Sequence, residues 1–261
     1  MSTKNQNRRG QNQSKQSKSA RRVLALAASL AVMGMTEVTW AGKGTIQVER
    51  VSRGSATFQQ RGDNTLIRAA DRTIINYRRF DVPRSATVTF RQPSSTSRVL
   101  NRINSSDPSQ IEGTIRSNGT LYFVNPAGIT FGPNAVLGVG QLFAAAGTIS
   151  DSNFLSGVNR FEGLHGSVVN FGSIEAGAVS LVGREVANYG SISGLDGAVT
   201  MVSGQEVLIG QRQGHVFMKI DAAQVAGSET KAEATMQPGA VRLGSGDLIS
   251  LARPQRIRGL R

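Results

Sequence analysis

Cysteine is absent from the 261 residues. That excludes a disulfide framework and thiolate metal sites but leaves export open, since many periplasmic and surface proteins carry no cysteine. Aromatic residues make up only 5% of the chain, against 30 glycines. This balance suits many short strands joined by tight turns better than one large aromatic core. Histidine is scarce too: His165 and His215 each stand in glycine-rich surroundings without neighbouring metal ligands, and they read as turn or surface residues. No metal site and no cofactor is expected. Apolar runs are short of the roughly 20 residues that a spanning helix needs, so stable membrane insertion is not expected either.

What is present begins with a polar, basic stretch free of acid over residues 1–22. An apolar run follows, Val23–Met33, and then Thr39-Trp40-Ala41. Basic region, apolar core and small-residue site in this order describe a secretory signal peptide, with cleavage expected between Ala41 and Gly42. A nucleic-acid-binding arm would explain the basic stretch but not the apolar run beside it, so no nucleic-acid partner is expected. Arg21-Arg22 also suggests a twin-arginine signal, although its surroundings fit general export better. The formal net charge of +13 falls to +7 once residues 1–41, with seven of the 30 basic residues and one of the 17 acidic ones, are set aside.

Three segments of the remainder repeat one pattern: Gly113-Thr-Ile115 before Leu121–Val124, Gly172-Ser-Ile174 before Val179–Val182, and Gly190-Ser-Ile192 before Val199–Val202. The last two share an entrance, with Asn170 and Asn188 placed to stack as an amide ladder. A period near 20 residues with two short strands per period is the requirement of one β-helix coil. Alternation puts Leu121 and Phe123 on one face and Tyr122 on the other. About ten coils are expected, a rod of about 50 Å. A β-sandwich or barrel is the competing architecture, since it also uses short alternating strands. Ala222–Pro238 reads as an excursion or short helix.

Enzymatic activity is not expected. A β-helix glycosidase would need facing carboxylates on successive coils, and Glu175, Glu185, Asp196 and Glu206 do not fall in register. Gly138-Val-Gly140 is only a fragment of a dinucleotide fingerprint, without its helix.

Five stretches carry a resemblance: Ile74–Pro83, Val88–Ser95, Val99–Ile103, Asp107–Ile115 and Leu121–Gly132, preceded by Gly54–Phe58 and Thr65–Ile67. In this order they resemble the haemagglutination-activity, or two-partner-secretion, domain of filamentous haemagglutinin-like exoproteins, over residues 44 to 210. The resemblance implies an all-β chain folded as a right-handed parallel β-helix, a pectin lyase-like solenoid with extra-helical strands or hairpins. It further implies recognition by the periplasmic domains of an outer-membrane two-partner-secretion transporter, with release to the medium or cell surface of a Gram-negative-type bacterium. The family's Asn-Pro-Asn-Gly-Ile motif is matched by Asn125, Pro126, Gly128 and Ile129, with Ala127 departing from it. Residue by residue this is a tight turn, and it serves either as a transporter-recognition element or as a structural turn alone. Family members commonly continue well beyond this domain, and adhesive work lies there; a surface module contacting host or environmental glycans is the alternative reading.

The expected organisation is a signal peptide at 1–41, a β-helix domain at 42–250 and a flexible basic tail at 251–261. Amino-terminal sequencing of the chain recovered from a Gram-negative host should begin at Gly42; an unprocessed Met1 terminus in the cytoplasm would overturn the export reading.

Overall fold

The computed structural model describes residues 46–195 and 197–212. Beyond these it describes only the strands Leu30–Ala31, Val38–Thr39, His215–Asp221, Thr235–Gln237, Ala240–Leu243, Leu248–Leu251 and Gln255–Arg258. Ala41, Gly42, Asp196 and, apart from Thr235–Gln237, the Ala222–Pro238 excursion lie outside the described residues.

Strands at the same position of successive coils pair in parallel, and this gives the β-helix its faces. The first face stacks Asn64–Ala69, Thr87–Arg91, Thr114–Ser117, the first half of Val136–Ala145, the first half of Ser173–Gly183, and Ser191–Gly194. The second stacks Thr73–Phe80, Arg98–Ile103, Thr120–Val124, the second halves of the two long strands, and Val199–Ser203. The third stacks Ser109–Ile111, Ile129–Phe131, Ser167–Asn170 and Glu185–Asn188.

Registers turn the sequence repeat into columns. Val88, Ile115, Leu137, Ile174 and Ile192 stand above one another on the first face. Val99, Leu121, Leu142, Val179 and Val199 do so on the second. All ten side chains are buried in one continuous core. The two repeats that share an entrance are neighbouring coils, but the first is not next to them. The coil Val136–Ala145 intervenes. It hides in the sequence because it lacks the glycine–hydroxyl–isoleucine signature, and because the intervals from Ile115 to Leu137 to Ile174 to Ile192 are 22, 37 and 18 residues. The Gly138-Val-Gly140 fragment belongs to this coil. A Cβ on Gly140 would lie 2.9 Å from the Gly119 carbonyl oxygen of the coil before, and one on Gly177 would lie 2.6 Å from that of Gly140. Close approach of successive coils at this corner therefore requires glycine.

The expected ten coils are corrected to about six, a rod of about 30 Å at about 4.8 Å per rung. Much of the chain goes elsewhere. Ala56–Arg61 folds back on Asn64–Ala69 as a hairpin, and Ile46–Arg53 runs antiparallel to Thr73–Phe80. At the other end Ala240–Leu243, Leu248–Leu251 and Gln255–Arg258 lie antiparallel to the last strand of each face. These end strands pair edges that would otherwise present open N–H and C=O groups. Gln255–Arg258, within the tail expected at 251–261, runs antiparallel to Ser191–Gly194.

Asparagines inside the coils are satisfied by one another, by Tyr77 and by the backbone. Asn170 donates to Asn188 Oδ1 at 2.7 Å, and its own Oδ1 accepts from Gly172 N at 3.1 Å, which is the amide ladder expected from the repeat. Asn101, in the inward column between Ile75 and Phe123, accepts from the Tyr77 hydroxyl at 3.0 Å and donates to the Tyr122 carbonyl at 3.1 Å.

The outside of the second face is apolar as well. Ile74, Leu100, Tyr122 and Phe143 form its outward column, and they are buried because the chain returns to cover them. A short helix, Asp151–Ser156, places Phe154 edge-on against Tyr122, with centroids 5.2 Å apart. Strand Asn159–Phe161 adds Phe161, and Glu206–Arg212 adds Val207 and Ile209. The helix is capped by Ser150, which accepts from Asn153 N, and ended by Gly157 in the left-handed region at φ 75°. Tyr122 donates to Asn159 Oδ1 at 2.8 Å. Burial pushes its phenol up to about 12, with the Arg98 guanidinium pulling the other way; burial also raises Tyr77.

Two outcomes follow from these networks. Asn170→Ala removes three hydrogen bonds inside the rod and should cost about 2–3 kcal/mol, more than Asn188→Ala, as read by denaturant unfolding; equal losses would contradict the ladder. Raised phenol values also mean that the folded chain holds protons the unfolded chain releases from about pH 10. Stability present below pH 10 should therefore be lost as pH climbs toward 12. Ultraviolet titration should show Tyr77 and Tyr122 resisting ionisation until unfolding, and smooth ionisation of every phenol near 10 would refute their burial.

Candidate functional site

The Asn125-Pro126-Ala127-Gly128 segment joins the second face to the third. Its sequence determines its shape. Gly128 N donates to the Asn125 carbonyl at 2.9 Å, closing a four-residue turn with Pro126 at the second position. Asn125 Oδ1 accepts from Ala127 N at 3.0 Å, the side chain imitating a backbone turn. Gly128 sits at φ 121°, where a side chain would be strained and would also approach the Ser167 carbonyl to 2.9 Å. Only the small residues of the next coil fit beneath, since a Cβ on Gly166 would lie 2.7 Å from the Pro126 carbonyl oxygen.

Asn125 is fully buried and reaches toward the preceding coil. Its Nδ2 donates to the Asp107 carbonyl and to Ser109 Oγ, each at 3.1 Å. Its backbone N donates to the Ala145 carbonyl at 3.0 Å. Asn125 thus ties three successive coils at one corner. Ile129 is buried in the third face, between Ser109 and Val168. Pro126 and Ala127 are half-buried and supply the surface of the turn. The departure at Ala127 alters that surface and leaves the turn's hydrogen bonds intact, because they come from Asn125 and the backbone. Ser109 and Gly166, which hold the turn from either side, were not singled out by sequence. The periodicity of the third face, where spans of only three or four residues repeat, is too short to reveal them.

Of the carboxylates weighed for catalysis, the three that are described, Glu175, Glu185 and Glu206, are not brought together. Glu175 lies on the first face opposite Ser193, Glu185 on the third opposite Ser167, and Glu206 is paired with Arg160 at 2.7 Å. A groove of about 800 Å³ runs beside the second face past Tyr122, Gln141, Ser180 and Thr200, and among the described residues Asp71 is the one carboxylate lining it. A facing acid pair needs two. His165 is exposed in the loop before Ser167, and the side chain of His215 lies outside the described residues. Among the described residues no helix is long and apolar enough to cross a membrane.

Comparison with known proteins accords with this geometry. Residues 44–248 match the TPS secretion domain, TPS standing for two-partner secretion. The heme/hemopexin-binding protein of Haemophilus influenzae strain Rd is 32% identical over 144 residues, covering 51% of this chain and 16% of that protein. A second heme/hemopexin-binding protein of Haemophilus influenzae is 29% identical over 101 residues, covering 39% of this chain and 10% of that protein. The chain thus spans less than a fifth of the length of these relatives. The crystal structure of the HMW1 secretion domain from Haemophilus influenzae superposes with a TM-score of 0.60 at 34% identity, covering 62% of this chain and 45% of that one. With its parallel coils and a match over most of its length, the chain belongs to the TPS secretion domain family.

Proposed function

We propose that residues 42–250 are the export module of a filamentous haemagglutinin-like exoprotein, and that the Asn125–Ile129 corner shapes the surface its transporter reads. TPS secretion domains are exported by Gram-negative bacteria and recognised by outer-membrane transporters of the two-partner type; they are not an enzyme family. The observation that carries the finer reading is the division of labour within the turn. Asn125 is fully buried and bound to three coils, while Pro126 and Ala127 are half-buried and supply the accessible part of the turn. A folded partner therefore meets Pro126 and Ala127, and Asn125 acts on recognition by holding them. Release to the medium or retention at the cell surface belongs to the same proposal.

The test is secretion from a Gram-negative host with and without the transporter encoded nearest the gene. The wild-type chain should reach the medium only with the transporter. Ala127→Glu changes the exposed side of the turn and should reduce released protein several-fold without lowering Tm. Asn125→Ala should reduce both, with a stability loss of about 2–3 kcal/mol for the unpaired buried groups it leaves. Undiminished secretion of Ala127→Glu would reduce the corner to a structural turn, and transporter-independent release would overturn the export reading itself.

A further inference from the structure

The outward side of the first face carries an unbalanced charge. Thr57, Gln59 and Arg61 point outward from the strand Ala56–Arg61, because Ala56 and Phe58 are buried inward. On the neighbouring strands Leu66 and Arg68, then Thr89 and Arg91, then Arg116 share that side, since Ile67, Phe90 and Ile115 fill the core. Register sets Arg68 directly beside Arg91, and Arg116 beside Thr89, one diagonal step from Arg91. Arg61 stands opposite Asn64 on the hairpin strand Ala56–Arg61. Four exposed arginines thus occupy four consecutive strands. They extend along the rod axis over about 15 Å at about 4.8 Å per strand.

Among the described residues none of the four is paired with a carboxylate. Arg68 donates to Gln59 Oε1 at 2.9 Å, and the ion pairs among the described residues are formed by other arginines. Along the row beyond Arg116 come Gly138 and then Glu175, two strands away; Asp63, at the hairpin tip, is exposed and unbridged to Arg61. Like charges set side by side on a sheet are destabilising, so Arg68 beside Arg91 is a cost to the fold alone. Between Arg61, Arg68 and Arg91 lies a groove of about 420 Å³, lined also by Gln59, Leu66 and Thr89, and Arg116 stands one strand beyond it. Its chemistry is specific. Guanidinium forks donate paired hydrogen bonds to planar or tetrahedral oxyanions. Thr89 offers a neutral hydrogen bond between them, and Leu66 gives an aliphatic floor.

The geometry points to a binding groove for a linear anionic polysaccharide lying along the rod axis, with successive sulfates or carboxylates meeting successive guanidiniums. The row favours a polymer over a single headgroup because its charges are spread one per strand rather than converging on one point. Its groove shape favours a chain over a flat protein surface. This site lies apart from the Asn125 corner, and it stands or falls independently of the transporter reading.

The test uses the mature chain purified from the medium or periplasm and immobilised dextran sulfate, polygalacturonate and uncharged dextran at physiological salt. Dextran sulfate, polygalacturonate or both should retain the protein, and uncharged dextran should not. Retention should weaken as salt screens the contact. Arg91→Gln with Arg116→Gln should lower affinity at least about tenfold while leaving the fold as stable as before or more so, because a like-charge contact is relieved. Arg50→Gln with Arg184→Gln removes the same charge from exposed positions off this face and should change affinity less than about twofold. Equal losses in the two double variants would reduce the effect to net charge and overturn the site. So would capture by vesicles of anionic phospholipid without retention on either polyanion. Retention by one polyanion alone identifies sulfate or carboxylate as the group read.

Discussion

Every rung of this rod must present its apolar residues at the same height and angle as the rung before. That constraint governs the remainder of the structure. Parallel pairing at a fixed spacing leaves no freedom in register, since a shift of one residue would send an inward column outward. Val88, Ile115, Leu137, Ile174 and Ile192 satisfy it on one face, and Val99, Leu121, Leu142, Val179 and Val199 on another. Where the chain changes face, no regular ladder is available to enforce alignment. Side chains and close glycine contacts do it instead: Asn170 with Asn188, Asn125 with Asp107 and Ser109, and the Gly119, Gly140 and Gly177 corner. The Asn-Pro turn is then a member of a general class of corner fasteners, distinguished by having its outer half at the surface.

How much of this could be read from sequence depended on how local the information was. The neighbouring coils at Ile174 and Ile192 were legible because nothing interrupts them, and their asparagines stacked as the pattern implied. The coil at Val136–Ala145 was not, since it substitutes other apolar residues for the repeated isoleucine and is followed by a long departure from the rod. Tyr122 was correctly placed on the opposite face from Leu121, but alternation alone could not say that this opposite face is also buried. Its cover comes from Phe154, Phe161, Val207 and Ile209, residues distant in sequence that carry no periodic mark. The coil number was overestimated for the same reason: chain used for hairpins, cover and end strands looks like chain available for rungs.

At the site, the turn itself was legible from Pro126 and Gly128, whose backbone preferences are intrinsic. The burial of Asn125 was not, because it depends on which residues lie one coil above and below. The arginine row is a similar case. Arg61, Arg68, Arg91 and Arg116 are scattered over more than fifty positions, and only the register of four strands makes them neighbours. Solenoids convert sequence distance into surface proximity in this regular way, so composition gives little notice of their charged faces.

The cover over the second face has a consequence for the order of events as the chain is made. Synthesis supplies Ile74, Leu100, Tyr122 and Phe143 before any of the residues that enclose them, and Val207 and Ile209 arrive more than sixty positions after the last of these. A nascent chain that has reached only Ala145 therefore has the means to stack its first rungs but not to shield their greasy exterior. Such an intermediate is sticky by construction. It must be kept from its neighbours, or kept from stacking at all, until the carboxyl-terminal half of the domain has emerged. The same delay ties the shielding of this face to the last third of the domain.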